Sequence, residues 1–225
     1  MPTDRQPLAR LAPMSRSRAA VRRAAGRHAA VRLAATVVAL AVWTLAPAAA
    51  FDIADGSEAN YRVREQLAGV SFPNDAVGVT RGVSGSIAFD DAGGVAEGTA
   101  VVVDLAGLVS DQSRRDGFVR NNTLQTARFP TATFVPTAVG GLTFPLPASG
   151  EAEVEITGEL TVRGVTRPVT WTGVATFAGD EVRLEAATTF TFADFELVKP
   201  RVASVLSVAD EITLEIRLRL VQSAE

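Results

Sequence analysis

The feature that most constrains this chain is a strict two-residue alternation of apolar and polar side chains. In residues 151–163, Ala152, Val154, Ile156, Gly158, Leu160 and Val162 alternate with Glu151, Glu153, Glu155, Thr157, Glu159, Thr161 and Arg163. A strand points successive side chains to opposite faces, so this stretch has one apolar and one wet face. Val182, Leu184, Ala186, Thr188, Phe190 and Phe192 repeat the arrangement, and so do Ile212, Leu214, Ile216, Leu218 and Leu220. Parallel strands buried on both faces read as continuous apolar runs, so these one-sided strands belong to antiparallel sheet.

Turn chemistry separates the strands. Asp90–Gly94 divides Ser86–Phe89 from Thr99–Leu105, Arg163–Pro168 divides 152–162 from 169–177, and Ala178–Asp180 precedes 182–192. Gly/Asp-rich segments of this kind close hairpins. Residues 136–150 hold three prolines and three glycines and are expected to form a loop. Alternation lapses from Ser110 to about Asn122, which predicts a short helix with Ser110 and Asp111 as N-cap candidates. The expectation is an all-β domain of about eight antiparallel strands with one short helix. Such strands hide their edges in a barrel or a sandwich, and periodicity alone is satisfied by either.

The first fifty residues follow different rules. They carry eight of the chain's 22 basic residues and one acid, then run uncharged from Leu33 to Phe51 through Ala48-Ala49-Ala50. A basic segment, an apolar core near 33–45 and small residues at the exit predict a secretory signal, from Met1 or Met14, cleaved after Ala50. The expected mature domain is 51–225, exported to the periplasm or cell envelope, with no membrane span left after cleavage. It retains 14 basic against 24 acidic residues, a net charge of −10. That balance argues against nucleic acid as a partner, and against docking on anionic lipid headgroups, because phosphate groups are gripped by clustered Lys and Arg. Both a monomer and a homodimer remain open.

The inventory excludes several chemistries. The only histidine, His28, lies in the expected signal, and there is no cysteine. The mature domain therefore cannot build a zinc or copper site of nitrogen and sulfur ligands, nor a Ser–His or Cys–His nucleophile. Ser84, in Gly82-Val83-Ser84-Gly85, has no base to activate it. The carboxylate pairs Asp90-Asp91, Glu153/Glu155 and Asp210-Glu211 fall on turns or wet faces and read as solvated surface. No metal, cofactor or catalytic residue is expected. All eleven phenylalanines lie in the mature part, mostly at apolar strand positions. They serve equally as packed core or as the lining of a ligand cavity.

Several blocks follow one another in a recognisable order. They are Gly85-Ser86-Ile87-Ala88-Phe89-Asp90, then Arg115-Asp116, then Phe129-Pro130 before Thr131–Phe134. Gly158, Leu160, Thr161, Gly164, Val165, Thr166, Pro168 and Val169 come next, followed by Asp194-Phe195-Glu196-Leu197 and a final strand over 211–220. In this order the chain resembles the YceI-like family, apart from a divergent opening at Tyr61–Leu67. The resemblance implies an eight-stranded, lipocalin-like barrel around a tunnel for a polyisoprenoid or similar apolar lipid. Its function would be to carry, store or sequester that lipid, the alternative being a filled barrel that works through its surface. On this reading the ligand-lining residues are Phe89, Phe134, Leu160, Trp171, Phe177, Phe190 and Phe192, with Phe118 from the helix near one mouth. Arg115-Asp116 is expected to form a local charge pair.

Overall fold

The computed structural model describes residues 49–201 and 205–223, so the expected signal lies outside the described residues apart from Ala49 and Ala50. Eleven strand segments follow: β1 (Ala49–Ile53), β2 (Glu58–Leu67), β3 (Asn74–Thr80), β4 (Val83–Phe89), β5 (Ala100–Asp104), β6 (Val109–Ser110), β7 (Thr131–Gly140), β8 (Ser149–Val162), β9 (Val165–Ala178), β10 (Glu181–Thr191) and β11 (Val205–Gln222). They pair around a ring in the order β1, β4, β5, β7, β8, β9, β10, β11 and back to β1. Closure rests on Phe51↔Gln222, Asp52↔Val221 and Ile53↔Leu220. The domain is an eight-stranded antiparallel barrel with one short α-helix, as the family resemblance implies; the alternation alone fitted a sandwich equally.

Three of the eight strands are broken in the middle. β1 leads into β2, β3 into β4 and β5 into β6, and the second set pairs β11–β2–β3–β6. The three breaks lie side by side, and each is bridged by a polar contact. Ser57 donates its hydroxyl to Ala54 O (2.8 Å) and accepts from Arg219 N (2.9 Å), spanning the gap where the ladder lapses. The Thr80 hydroxyl accepts from Gly82 N at 3.1 Å, and Gly82 O accepts from Asp104 N at 2.7 Å. The Asp104 carboxylate then accepts from Ala106 N at 2.9 Å. Backbone groups that leave a ladder inside a protein need such partners. This row of breaks divides the barrel into two halves.

Alternation is realised residue by residue. Every second side chain of β8 from Val154 to Val162 is buried, as is every second one of β10 from Val182 to Phe190, while their neighbours face outward. In β9, Trp171, Ala175 and Phe177 face inward. With no disulfide available, this apolar interior supplies the stability, at about 1.5–3 kcal/mol for each large side chain fully buried.

Several local expectations need correction. The β8–β9 connection is only Arg163-Gly164, not 163–168; their φ values of 52° and 78° are the left-handed pair that a two-residue hairpin uses. Residues 136–150 are not all loop, because β7 continues through Pro136 to Gly140 and the loop is 141–148. A register shift between Pro136 and Ala138 accommodates the proline, which cannot donate to the ladder. The helix is shorter than expected: α1 spans Ser113–Phe118 and runs into one π-helical turn, Val119–Thr123. Gln112 takes the N-cap position, since Ser110 belongs to β6 and its hydroxyl is engaged elsewhere.

Candidate functional site

The interior is filled on one side of the row of breaks and hollow on the other. A cavity of about 810 Å³ occupies the half built from β2, β3, β6, α1 and the first part of β11. The other half retains a void of only about 60 Å³. Phe134, Trp171, Val101 and Ile216 border both spaces and form the partition, with the Phe134 and Trp171 rings edge to face at 5.9 Å. The loop 141–148 seals the filled end, where Phe144 rests on Phe89 at 5.2 Å between centroids.

β6 is hydrogen-bonded to β3 alone. The segment joining it to β7 completes the cavity wall instead, contributing Phe118, Val119 and Leu124. Arg120 fastens that segment by donating to Leu108 O at 3.0 Å, and Thr123 donates to Val198 O at 3.0 Å. The loop after β10 closes the wall from the opposite side. Asp194 accepts from Thr191 N (2.6 Å) and Thr191 Oγ1 (2.8 Å), which fixes a tight turn. That turn buries Phe195 completely, at 4.5 Å from Phe190, and brings Leu197 to the cavity. The Asp-Phe-x-Leu block is thus a wall-building device.

Of the side chains singled out in the sequence, Phe118, Phe134, Leu160, Trp171, Phe190 and Phe192 line the large cavity. Phe89 and Phe177 lie beyond the partition, in the filled half. Glu65 was not among those side chains, and Arg115 was expected to pair with Asp116. Glu65 and Arg115 line the cavity as an ion pair with side chains only 7% and 13% exposed. Arg115 also pairs with the exposed Asp111. Burial alone would lower the Arg115 pKa, but the hydrogen bond to Asp111 and the pairing with Glu65 outweigh it and hold the guanidinium above its ordinary value. Asp116 does not pair with its neighbour; it accepts from Ser110 Oγ (2.6 Å) and Ser110 N (2.9 Å). Adjacent helical residues do not face each other, which is why the expected Arg115–Asp116 pair is absent.

Tyr61 contributes the other polar feature of the wall. Its ring lies over Gly78, where an added Cβ would come within 2.1 Å of Cε1, so the glycine makes room for the aromatic ring. Burial pushes the phenol up to about 12, with Arg115 drawing it partly back, so it stays neutral near pH 7. The register signal for these residues was present in the sequence: Ala59, Tyr61, Val63 and Glu65 form one inward series, with a carboxylate at its end.

Fold and cavity together define a lipocalin-type antiparallel barrel with an apolar chamber, the kind of site that accepts an apolar ligand. Residues 52–220 match the YceI-like domain, and the chain belongs to the YceI-like family. It is 30% identical over 134 residues to a UPF0312 protein of Pseudomonas putida strain GB-1, covering 56% of this chain and 66% of that one. It is 31% identical over 128 residues to Protein YceI of Escherichia coli O157:H7, covering 56% and 61%. The matches span just under two thirds of these relatives' length. Among solved structures, a polyisoprenoid binding domain from Saccharophagus degradans superposes with a TM-score of 0.62 at 16% identity, covering 78% of this chain and 99% of that one. Burkholderia cenocepacia BcnA gives 0.56 at 20% identity, covering 75% and 99%. At these identities the likeness is one of fold.

Proposed function

We propose that this protein is an exported binding protein that holds one long apolar lipid, of the polyisoprenoid class, in the hollow half of its barrel. The observation that carries this reading is the 810 Å³ chamber, walled mostly by phenylalanine, leucine, valine and alanine, with Glu65 and Arg115 paired at its mouth. Its size falls within the ~300–1,000 Å³ range of small-molecule sites. Each methylene moved from water into such a wall gains about 0.8 kcal/mol, so about ten supply ~8 kcal/mol before ordering costs, with no ionic contact needed. The name of the Saccharophagus structure points to the same ligand class. The proposed lining is Phe118, Phe134, Leu160, Trp171, Phe190 and Phe192; Phe89 and Phe177 are proposed as core.

Export rests on the signal-like first fifty residues. Cleavage after Ala50 would leave Phe51–Ile53, the three residues that close β1 onto β11, at the start of the mature chain. No step of this reading calls for catalysis or a cofactor.

The test is native mass spectrometry of the purified protein against its denatured mass, with extraction and identification of any released lipid. The expected result is a stoichiometric isoprenoid-like mass, regained when emptied protein is incubated with a polyprenol. Ala132→Phe, which adds a ring to the large cavity wall, should abolish that uptake while the fold persists. A bare mass before and after incubation with polyprenol would overturn the proposal.

A further inference from the structure

The hollow end of the barrel carries an exposed apolar rim. Phe72 is 78% exposed, Leu206 66% and Val70 45%. Phe72 and Val70 sit on the β2–β3 loop, which Gln66 braces by donating to Leu67 O at 3.3 Å and to Val70 O. Leu206 stands beside that loop, because Val205 pairs with Leu67 and Ser207 with Gln66. Leu206 is therefore the extra residue of a bulge. Val70, Leu67 and Val205 also line the cavity, so the rim and the chamber wall are one continuous apolar surface. Neither Phe72 nor Leu206 belongs to the wall itself.

Charge is sorted along the same axis. No charged residue lies between Glu65 and Asp75, nor between Arg201 and Asp210. The segments at the hollow end, 105–130, 163–164 and 192–201, carry seven basic residues (Arg114, Arg115, Arg120, Arg128, Arg163, Lys199 and Arg201) against four acidic ones (Asp111, Asp116, Asp194 and Glu196), with Arg115 paired to Glu65 and Asp111 and Lys199 to Asp210. The loops at the filled end, 90–99, 141–148 and 179–180, carry Asp90, Asp91, Glu97 and Asp180 and no basic residue. A domain whose expected net charge is −10 thus turns an apolar tip with a basic collar toward one side. Apolar side chains backed by Lys and Arg are the surface chemistry that seats a protein at the boundary between headgroups and acyl chains.

We infer that the hollow end docks on a lipid bilayer, with Phe72, Val70 and Leu206 entering the acyl boundary and the basic collar facing the headgroups. This deepens the lipid-binding reading and rests on it. A lipid leaving a bilayer through this rim would pass from acyl chains to apolar wall without exposing its chain to water. Docking also fixes the orientation: the mouth faces the bilayer and the acidic loops face away.

The chain lacks cysteine, so Phe72→Cys or Leu206→Cys creates a single attachment point for a polarity-sensitive dye. The control is Val174→Cys, on the outer wall of β9. Mixed with phosphatidylcholine vesicles containing some phosphatidylglycerol, dyes at 72 and 206 should shift to the blue and be quenched by lipids spin-labelled in the acyl chain. The dye at 174 should do neither. Phe72→Asp should weaken vesicle binding about tenfold, the equivalent of ~1.4 kcal/mol. It should leave uptake of polyprenol from solution unchanged, since Phe72 is not part of the wall.

A dye at 72 and 206 that stays in water on vesicles overturns the inference and leaves the rim to a protein partner. Equal responses at 72, 206 and 174 overturn it as well, because they report adsorption without orientation. If the dyes respond but no polyprenol is taken up, docking stands and the cargo reading fails. If polyprenol is bound and the dyes are silent, the reverse holds.

Discussion

The two halves of this barrel share β7 to β11 and the same alternation, yet one is filled and the other is hollow. In the filled half Phe51, Phe89, Phe177 and Leu218 meet across the axis, and the 141–148 loop presses Phe144 and Leu142 onto them. In the hollow half the inward series on β2 and β3 holds a single aromatic ring, Tyr61, laid over Gly78, among smaller or polar side chains, Ala59, Val63, Glu65, Ala76 and Thr80. The helical segment lies across the gap between β6 and β7 as a wall and does not fill the space. Volume is therefore decided by which residues face one another across the axis and by what covers each end. The row of breaks at Ser57, Gly82 and Asp104 marks the change from one regime to the other.

The sharpest way to break this comparison is to truncate one phenylalanine in each half. Phe177→Ala should cost about 3–5 kcal/mol, the usual range for a ring removed from a tight core. Phe118→Ala, half-buried on the cavity wall, should cost under about 1 kcal/mol and weaken lipid binding instead. Urea unfolding reads both, and equal losses would mean that the halves do not differ in packing. The next largest effect concerns the charges of the hollow half. Arg115→Met should lose about 3 kcal/mol, because Glu65 is left buried without its partner. Adding Glu65→Leu should recover most of that loss, and a double variant as unstable as the single one would show that the pair is not what holds the mouth.

Adding volume gives the converse experiment. Ala175→Phe enters the filled half and should cost about 1–3 kcal/mol through overpacking, whereas Ala132→Phe enters the chamber and should be nearly neutral in a thermal melt. A smaller effect belongs to the turn that buries Phe195. The hydrogen bonds from the Thr191 backbone and hydroxyl hold the Asp194 carboxyl below its ordinary value. A carboxyl lowered in the folded state stabilises fully above its unfolded pKa of about 3.9, and loses that contribution as pH falls through the folded value. The melting temperatures of the wild type and Asp194→Asn should therefore differ at pH 6 and converge toward pH 3. A constant gap across that range would show that the charge plays no part.

Much of the barrel was legible in the sequence, because alternation is a local property and strands obey it wherever they lie. The inward faces of β8, β10 and β11 read directly, and the face of β9 followed from Val169, Gly173 and Phe177. Which half each residue joins was not legible. Phe177 and Phe190 occupy identical patterns, and only the register around a closed ring separates them by a partition. The length of β7 was obscured by Pro136, since a bulge that tolerates proline leaves no separate signal. Glu65 was visible as a charge in an inward register, but a carboxylate there makes sense only once Arg115, fifty residues later, is seen to reach it.

The seam between β1 and β11 bears on how the chain acquires its shape. Phe51–Ile53 find their partners at Leu220–Gln222, almost the whole domain away, and β2 also waits for β11. A chain appearing from its N-terminus can form the β8–β9 and β9–β10 hairpins as it goes, but it cannot close the ring until its last twenty or so residues are free. Topologies dominated by such distant pairings fold slowly, in about milliseconds to seconds, because loop entropy is lost before contacts compensate for it. Until that final strand is free, the chain remains an open, threadable sheet with its greasy face uncovered, and the chamber comes into being last.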